Sequence, residues 1–148
     1  MDEVQLGEHE LLGGLQPDEF ERLVPNLSLV AVPAGSLLVR RGEPAAEIFL
    51  VTRGTLSVVA GLESGRTMRL TTVSAGMTVG EVAYITGGSR SASVRADSDV
   101  ECFTLPYATL ETLAHDDPVL HGKLLHGLIR IVVARLLAAD SAIAELAK

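Results

Sequence analysis

The sequence predicts a mainly β fold with flanking helices: an antiparallel β-roll, jelly-roll-like and arranged as a double-stranded β-helix, with one short helix before it and helices after it. Seven short segments rich in Val, Leu and Thr follow one another between residues 27 and 105. Turn-forming Gly, Pro and Asp residues separate them at intervals of roughly 8 to 12 residues, without a helical crossover. Beyond residue 106 the apolar residues recur at helical spacing. We therefore expect one domain over residues 1–148.

The composition fits one globular domain and argues against several classes of partner. The 148 residues suffice for a hydrophobic core, and 47% of them are hydrophobic although only 3% are aromatic. The formal net charge of −7 argues against nucleic acid and anionic lipid as partners, because both require a protein to neutralise many phosphates. One focused arginine can still capture one small anion.

No segment of the sequence has the pattern of a membrane span or a signal peptide. The longest apolar run, residues 124–139, is shorter than the roughly 20 residues of a spanning helix and contains Arg130 and Arg135. The acidic N-terminus lacks the basic and apolar regions of a secretory signal. The single cysteine, Cys102, lies in an apolar run, so we expect a buried thiol without an internal disulfide. These features predict a cytoplasmic protein.

The N-terminal helix is predicted over residues 11–24. Pro17 suits the first turn of a helix, acidic residues follow it, and Phe20 and Leu23 fall on one side. Pro25 is expected to end the helix.

The β-roll is predicted over residues 27–105. Its candidate strands share β-branched and aliphatic side chains and end at turns that contain Gly, Pro or Asp. In chain order they are LSLVAV, SLLVR, IFLVTRG, TLSVVAG, TMRLTTV, SASVRA and VECFTL. Short strands with short connections favour antiparallel pairing in a closed roll or sandwich.

A helical lid is predicted over residues 106–148. Its first helix covers about residues 107–114. A second helix begins after Asp116 or Asp117, either of which can cap it, and Pro118 suits its first turn.

This second helix carries a broad apolar stripe from Leu120 to Leu137. A break near Gly127 is one possibility; an unbroken helix would be longer than the face that a small roll can cover. Part of the stripe then faces a partner subunit, another domain or solvent. We expect this surface to bind a second copy of the chain or an effector domain.

The stretch TVGEVAYITGGSRSASVRA, residues 78–96, contains the groups that an anion site needs. Gly80 permits a positive φ or a close backbone approach, and a short helix starting at Glu81 presents its first N–H groups to an anion. Arg90 stands at the mouth of the next strand, followed by two small residues that leave room for a ligand. Glu81 can accept a hydrogen bond from a hydroxyl of the same ligand. A phosphate with a neighbouring sugar hydroxyl fits this set of groups.

This stretch resembles the phosphate-binding cassette of cyclic-nucleotide-binding domains, the modules of catabolite-activator-type regulators, cyclic-nucleotide-dependent kinases and gated channels. The resemblance rests on GEVA, on the nine residues from Glu81 to Arg90, and on RSASVRA. The upstream run VPAGSLLVRRGEPAAEIFLVTRGTLSV is similar to the opening of the family's β-roll, so the resemblance covers about residues 11–137. The segments AGMTVGEVA and RSASVRADSDVECFTL also resemble modules appended to bacterial glutaminases and anion transporters. This resemblance implies that the chain is a regulatory part of a larger protein.

The resemblance implies a binding site for cyclic AMP or cyclic GMP. Glu81 would accept the ribose 2′-hydroxyl, Gly80 would let the sugar approach the backbone, and Arg90 would pair with the cyclic phosphate. The other implied contacts are Val82, Ala83, Ser91 and Ala92 for the phosphate, Val58, Leu70 and Thr71 for the base, and Asp140 and Ser141 as candidates for the adenine. Neither a metal nor a cofactor besides this ligand is expected.

Three other interpretations belong to different functional classes. In a degenerate roll, Glu81 and Arg90 form a salt bridge or face solvent, and the domain is a structural or dimerisation module without nucleotide. A metal-dependent β-roll enzyme needs His and Glu ligands on strands, yet none of the four histidines lies in a predicted strand. A DNA-binding regulator needs a helix-turn-helix after the last helix, and none is visible. We therefore expect a non-enzymatic regulatory module that signals through its C-terminal helices.

Overall fold

The computed structural model describes residues 3–61 and 64–146 and contains two antiparallel sheets packed as a β-roll, which confirms the predicted fold class. One sheet has the strand order β1-β8-β3-β6 and the other β2-β7-β4-β5. All seven predicted segments contribute a strand, and one further short strand, β6, lies between the fifth and the sixth of them. The strands are β1 (Ser28–Val32), β2 (Leu37–Val39), β3 (Glu47–Arg53), β4 (Thr55–Gly61), β5 (Thr67–Ser74), β6 (Thr78–Val79), β7 (Ser93–Ala96) and β8 (Val100–Pro106).

One glycine makes the corner at which the chain passes from one sheet to the other. Gly54 alone separates β3 from β4 and has a φ of 91°. A Cβ at this position would lie 2.4 Å from the carbonyl oxygen of Asp99. Any side chain would therefore collide with the backbone, so the residue type at position 54 fixes the corner.

Strand β3 is buried on both faces and separates two hydrophobic cores. Phe49 and Val51 point between the two sheets, while Ile48 and Leu50 point towards the helices. This alternation follows from the two-residue period of a strand. The roll therefore has one core of its own and a second core that fixes the helices against its outer face.

The N-terminal helix α1 spans Pro17–Leu23, so the helix predicted over residues 11–24 begins later than expected. The N–H of the residue before Pro17 donates to the Glu19 carboxylate at 2.8 Å, and this capping contact sets the start of the helix. Leu11 and Leu12 are buried in turns before the helix, so their apolar character reflects core packing. Two short 3-10 turns also lie in this region, Leu6–Glu8 and Val24–Asn26.

Three more helices complete the fold: α2 (Glu81–Thr86), α3 (Tyr107–Asp116) and α4 (Pro118–Leu146). Helix α4 has no break at Gly127. A Cβ there would lie 3.0 Å from the carbonyl oxygen of Leu11, so this glycine permits a close approach between α4 and the N-terminal segment. None of the helices among the described residues has the length and hydropathy of a membrane span.

Candidate functional site

A pocket of about 710 Å³ lies between β4, β5 and β7 of the roll, helix α2 and helix α4. Its lining includes all the residues predicted for the phosphate, the ribose and the base: Val82, Ala83, Arg90, Ser91, Ala92, Gly80, Glu81, Val58, Leu70 and Thr71. Asp140 and Ser141, the candidates on the terminal helix, are exposed and do not line it. Helix α4 instead presents Arg135, Ala138 and Ala139 to the pocket.

The Arg90 side chain is buried in the pocket wall and leaves one of its donors without a partner. Only 6% of the side chain is exposed. Its Nη2 donates to the Glu47 carbonyl oxygen at 2.9 Å and lies 3.8 Å from the carboxylate of the same residue. The guanidinium carbon also lies 5.6 Å from the ring centroid of Phe49. Nη1 is buried and has no hydrogen-bond partner among the described residues. A buried charged donor of this kind favours an incoming acceptor, because its desolvation is uncompensated.

The backbone on either side of the pocket fixes the position of this guanidinium. The Arg90 N–H donates to the Glu43 carbonyl oxygen, and the Gly42 N–H donates to the Arg90 carbonyl oxygen, both at 2.9 Å. Opposite them, Gly80 has a φ of 98°, and a Cβ on it would lie 2.5 Å from Arg90 Nη1. Glycine at position 80 thus meets two demands at once: a left-handed backbone and space for the guanidinium.

Glu81, the first residue of α2, has a buried carboxylate with two partners. The residue is only 4% exposed. The Thr78 hydroxyl donates to one carboxylate oxygen at 3.4 Å, and the Arg135 guanidinium forms an ion pair with the other. The degenerate alternative had Glu81 and Arg90 paired with each other or facing solvent. Among the described residues both are buried, Arg90 contacts Glu47, and Glu81 pairs with Arg135. A carboxylate accepts about four hydrogen bonds, so Glu81 retains capacity for a ligand hydroxyl.

Arg135 is a pocket residue that the sequence analysis did not identify. Its Nη2 donates to the Thr78 carbonyl oxygen at 3.1 Å and lies 3.6 Å from the Glu10 carboxylate. Burial lowers the pKa of this guanidinium, and the charge of Glu10 opposes the shift. A signal was present: Arg135 follows Leu128 and Ile131 at helical spacing on the side of α4 that is buried against the roll. An arginine on such a face needs a buried anionic partner.

The remaining wall of the pocket is largely apolar. Val58, Leu70 and Thr71 line it on β4 and β5. Leu70 and Val82 are 52% and 50% exposed, so their apolar surface is available for a flat ligand group to cover. The pocket therefore combines a cationic donor, a buried carboxylate and an apolar wall. Such a set suits a ligand that carries an anion, a hydroxyl and a flat ring.

Two other chemically notable side chains have structural surroundings. His9 is buried; its Nε2–H donates to the Met77 carbonyl oxygen at 2.8 Å and its Nδ1 accepts from the Leu11 N–H at 3.2 Å. Desolvation lowers the pKa of this imidazole. Burial raises the pKa of the Cys102 thiol to about 11, as expected for a packed cysteine. Among the described residues, no three His, Cys, Asp or Glu side chains are placed to hold a metal ion.

Comparison with protein families matches residues 29–117 to the cyclic nucleotide-binding domain. The matched segment is more than half of the chain. It runs from the first strand of the roll to the end of α3 and includes the pocket residues on β4, β5 and α2 and in the segment after α2.

Curated relatives are much longer than this chain. Glutaminase 2 of Bradyrhizobium diazoefficiens is 34% identical over 138 residues, which are 93% of this chain and 21% of the relative. A cyclic nucleotide-gated potassium channel of Mesorhizobium japonicum is 33% identical over 104 residues, or 70% of this chain and 27% of the channel. The chain thus spans between a fifth and about a quarter of these proteins.

Solved structures share the fold over most of the chain. A cyclic nucleotide-binding domain from Methylobacillus flagellatus superposes with a TM-score of 0.82 at 25% identity, covering 88% of this chain and 74% of that one. The catabolite activator protein of Thermus thermophilus superposes with a TM-score of 0.77 at 25% identity, covering 93% and 63%.

Proposed function

The chain belongs to the cyclic nucleotide-binding domain family, and on that premise we propose that it is a regulatory module whose ligand is cyclic AMP or cyclic GMP. The ligand lies in the pocket beside α2, with its cyclic phosphate at Arg90 and its ribose at Glu81. Helix α4 transmits the binding event.

The buried, unpartnered Nη1 of Arg90 is the observation that carries this proposal. A phosphate oxygen supplies the missing acceptor, and a charge-assisted hydrogen bond to a guanidinium is strong in a desolvated site. The first N–H groups of α2, at Val82 and Ala83, have no partner within the helix and lie in the same wall. Ser91 and Ala92, beside Arg90, complete the cradle for the phosphate.

The ribose is assigned to the other end of this cradle. Glu81 is a buried acceptor, and the ribose 2′-hydroxyl is a donor of matching size. Gly80 has no side chain on the surface that the sugar would contact. The ligand thus receives one charged contact at its phosphate and one at its hydroxyl, which fixes its orientation in the pocket.

The base lies against Val58, Leu70 and Thr71 and the two pocket-facing alanines of α4. This wall is apolar and suits the flat face of either purine. The Ser91 hydroxyl is one polar group near the cradle and does not by itself favour adenine or guanine.

Helix α4 is the element whose position depends on whether nucleotide occupies the pocket. Arg135, Ala138 and Ala139 line the pocket, so a bound nucleotide contacts the same helix that carries the exposed apolar stripe. The ligand shifts the position of α4 to the extent that it binds one position more tightly than another. An effector domain of a larger protein, or a second copy of the chain, reads that change.

No catalytic role is proposed for the chain itself. The glutaminase relatives carry their activity in proteins of which this module is about a fifth. We propose that this chain is the regulatory part of such a longer protein. We also propose that the protein is cytoplasmic.

Calorimetric titration with cyclic AMP and cyclic GMP tests the proposal. We expect the wild-type chain to bind at least one of them and Arg90→Ala to lose about a hundredfold in affinity, because a buried charged contact is removed. Arg41→Ala is the matched control, since it removes the same charge from an exposed turn and should bind normally. Absence of heat with either nucleotide at millimolar concentration would contradict the function. Equal binding by Arg90→Ala would contradict the site while leaving the family assignment intact.

A structural or dimerisation module without nucleotide is the second candidate, and the exposed face of α4 favours it. Ile129, Val133, Leu136 and Leu137 recur at helical spacing and are about half or more exposed. The same titration separates the two functions, because a purely structural module binds neither nucleotide.

A further inference from the structure

Arg135 occupies a junction at which four parts of the chain meet. It reaches from α4 to Glu81 on α2, to both oxygens of Thr78 on β6, and towards Glu10 in the N-terminal segment. Glu10 is itself anchored, because its carboxylate accepts the Thr78 N–H at 2.8 Å and lies 3.2 Å from the Thr78 hydroxyl oxygen. The guanidinium is therefore held in place from two sides.

The charges explain why the guanidinium is needed there. Glu81 is almost fully buried, and a buried carboxylate without a counter-charge is strongly unfavourable. Arg135 compensates that charge and is still 34% exposed along its side chain. The electrostatic effect of Arg135 on a ligand is therefore transmitted mainly through Glu81.

We propose that Arg135 is a positioning residue for ligand binding, which acts through Glu81. It compensates the charge of the buried carboxylate and keeps the carboxylate aimed into the pocket for the sugar hydroxyl. Because the guanidinium belongs to α4, the same ion pair couples the position of that helix to occupancy of the pocket. This inference rests on the proposed function and adds the regulation of the same site.

The role differs from that of Arg90, which provides a free donor to the ligand directly. Nη1 and Nη2 of Arg135 contact protein oxygens, so we expect its contribution to depend on the ligand having a group that Glu81 can accept. A ligand without that hydroxyl gains nothing from a well-placed carboxylate. The dependence on the ligand's hydroxyl therefore distinguishes positioning from a general effect of charge or fold.

Calorimetric titration of the wild-type chain and of Arg135→Gln with cyclic AMP and with 2′-deoxy cyclic AMP tests the proposal. We expect Arg135→Gln to weaken the binding of cyclic AMP by about tenfold or more, because one partner of a buried charge pair is removed. The affinity for the 2′-deoxy analogue should fall much less, because this ligand lacks the hydroxyl that donates to Glu81. Arg135→Lys should recover part of the loss, since it restores the charge but not the fork. Arg130→Gln, which removes an exposed arginine from the same helix, should bind both ligands like the wild type.

The comparison of two ligands within one variant remains valid if Arg135→Gln lowers the stability of the fold. Partial unfolding would reduce the apparent affinity for both ligands equally. Equal losses for both ligands would overturn the positioning role, and so would unchanged cyclic AMP binding by Arg135→Gln. If the wild-type chain binds neither cyclic AMP nor cyclic GMP, the proposed function fails first and this inference fails with it.

Discussion

At the residue scale, the pocket depends on a glycine as much as on its charged groups. The hydrogen that Gly80 carries in place of a Cβ faces Arg90 Nη1, the donor assigned to the phosphate. A methyl group there would push the guanidinium out of its position. The same residue has a positive φ, so a side chain would strain the backbone as well.

Gly80→Ala should therefore lower both stability and nucleotide affinity. We expect the free energy of unfolding to fall by roughly 1–3 kcal/mol because of the strained φ, as measured by urea denaturation. Gly35→Ala is the matched control: its φ is 88°, but a Cβ there meets nothing within 4 Å. It should lose stability and keep its affinity. If the two variants bind nucleotide equally well in calorimetry, the proposed contact between Gly80 and Arg90 is unimportant.

Sequence spacing predicts that Glu81 and Arg90 line one pocket, but it does not predict their partners. Glu81 and Arg90 belong to one short stretch, so local spacing was enough to bring them to one place. Arg135 and Glu47 reach the same place from distant segments, and their contacts depend on how α4 and β3 pack. The sequence of α4 alone does not show which of its faces lines the pocket, and Asp140 and Ser141 lie off that face.

At the scale of elements, α4 contains two glycines with opposite surroundings. A Cβ on Gly122 would meet nothing within 4 Å, whereas a Cβ on Gly127 would lie 3.0 Å from a backbone oxygen of Leu11. Both lie within a continuous helix, where glycine is less favourable than alanine. The lower helix propensity of glycine is thus compensated by close packing only at Gly127.

Substituting alanine at each position tests this difference. Gly122→Ala should raise the free energy of unfolding by roughly 0.5–1 kcal/mol through helix propensity alone. Gly127→Ala should lower it by about 1 kcal/mol, because overpacking against Leu11 exceeds that gain. Thermal or urea denaturation of both variants measures the two values. Equal stabilisation by both would show that α4 does not approach the N-terminal segment this closely.

The strands were more predictable than the helices. Val-rich and Thr-rich segments with glycine turns mark strands locally, and the corner at Gly54 falls between two of them. The N-terminal helix was predicted too long, because Leu11 and Leu12 have the apolar pattern of a helix but are buried in turns. The sequence leaves a break at Gly127 open, whereas the structure shows that this glycine permits packing against the N-terminal segment, far away in sequence.

At the scale of the whole molecule, only one face of α4 packs into the hydrophobic core. Leu120, Leu124 and Leu128 are fully or almost fully buried, while the opposite side exposes Ile129 and Val133. Ile129 and Val133 lie on the side of α4 that faces away from the buried Leu128 and Ile131. A surface of this kind favours association.

We expect the chain to form a dimer through this stripe at micromolar concentrations. Light scattering should give twice the chain mass for the wild type and the single mass for Ile129→Glu/Val133→Glu, because two charges are placed in an apolar contact. Leu29→Glu, at an exposed apolar residue on β1, is the matched control and should remain dimeric. A monomeric wild type, or a dimeric double variant, would contradict the assignment of this surface.

A crystal structure of the chain with cyclic AMP, or with cyclic GMP if that binds more tightly, shows directly whether the nucleotide occupies the proposed site. We expect a cyclic-phosphate oxygen about 2.9 Å from Arg90 Nη1, the usual distance of such a bond, with the ribose hydroxyl on the Glu81 carboxylate. Nucleotide bound elsewhere, or bound in this pocket with Arg90 Nη1 still without a partner, would contradict it.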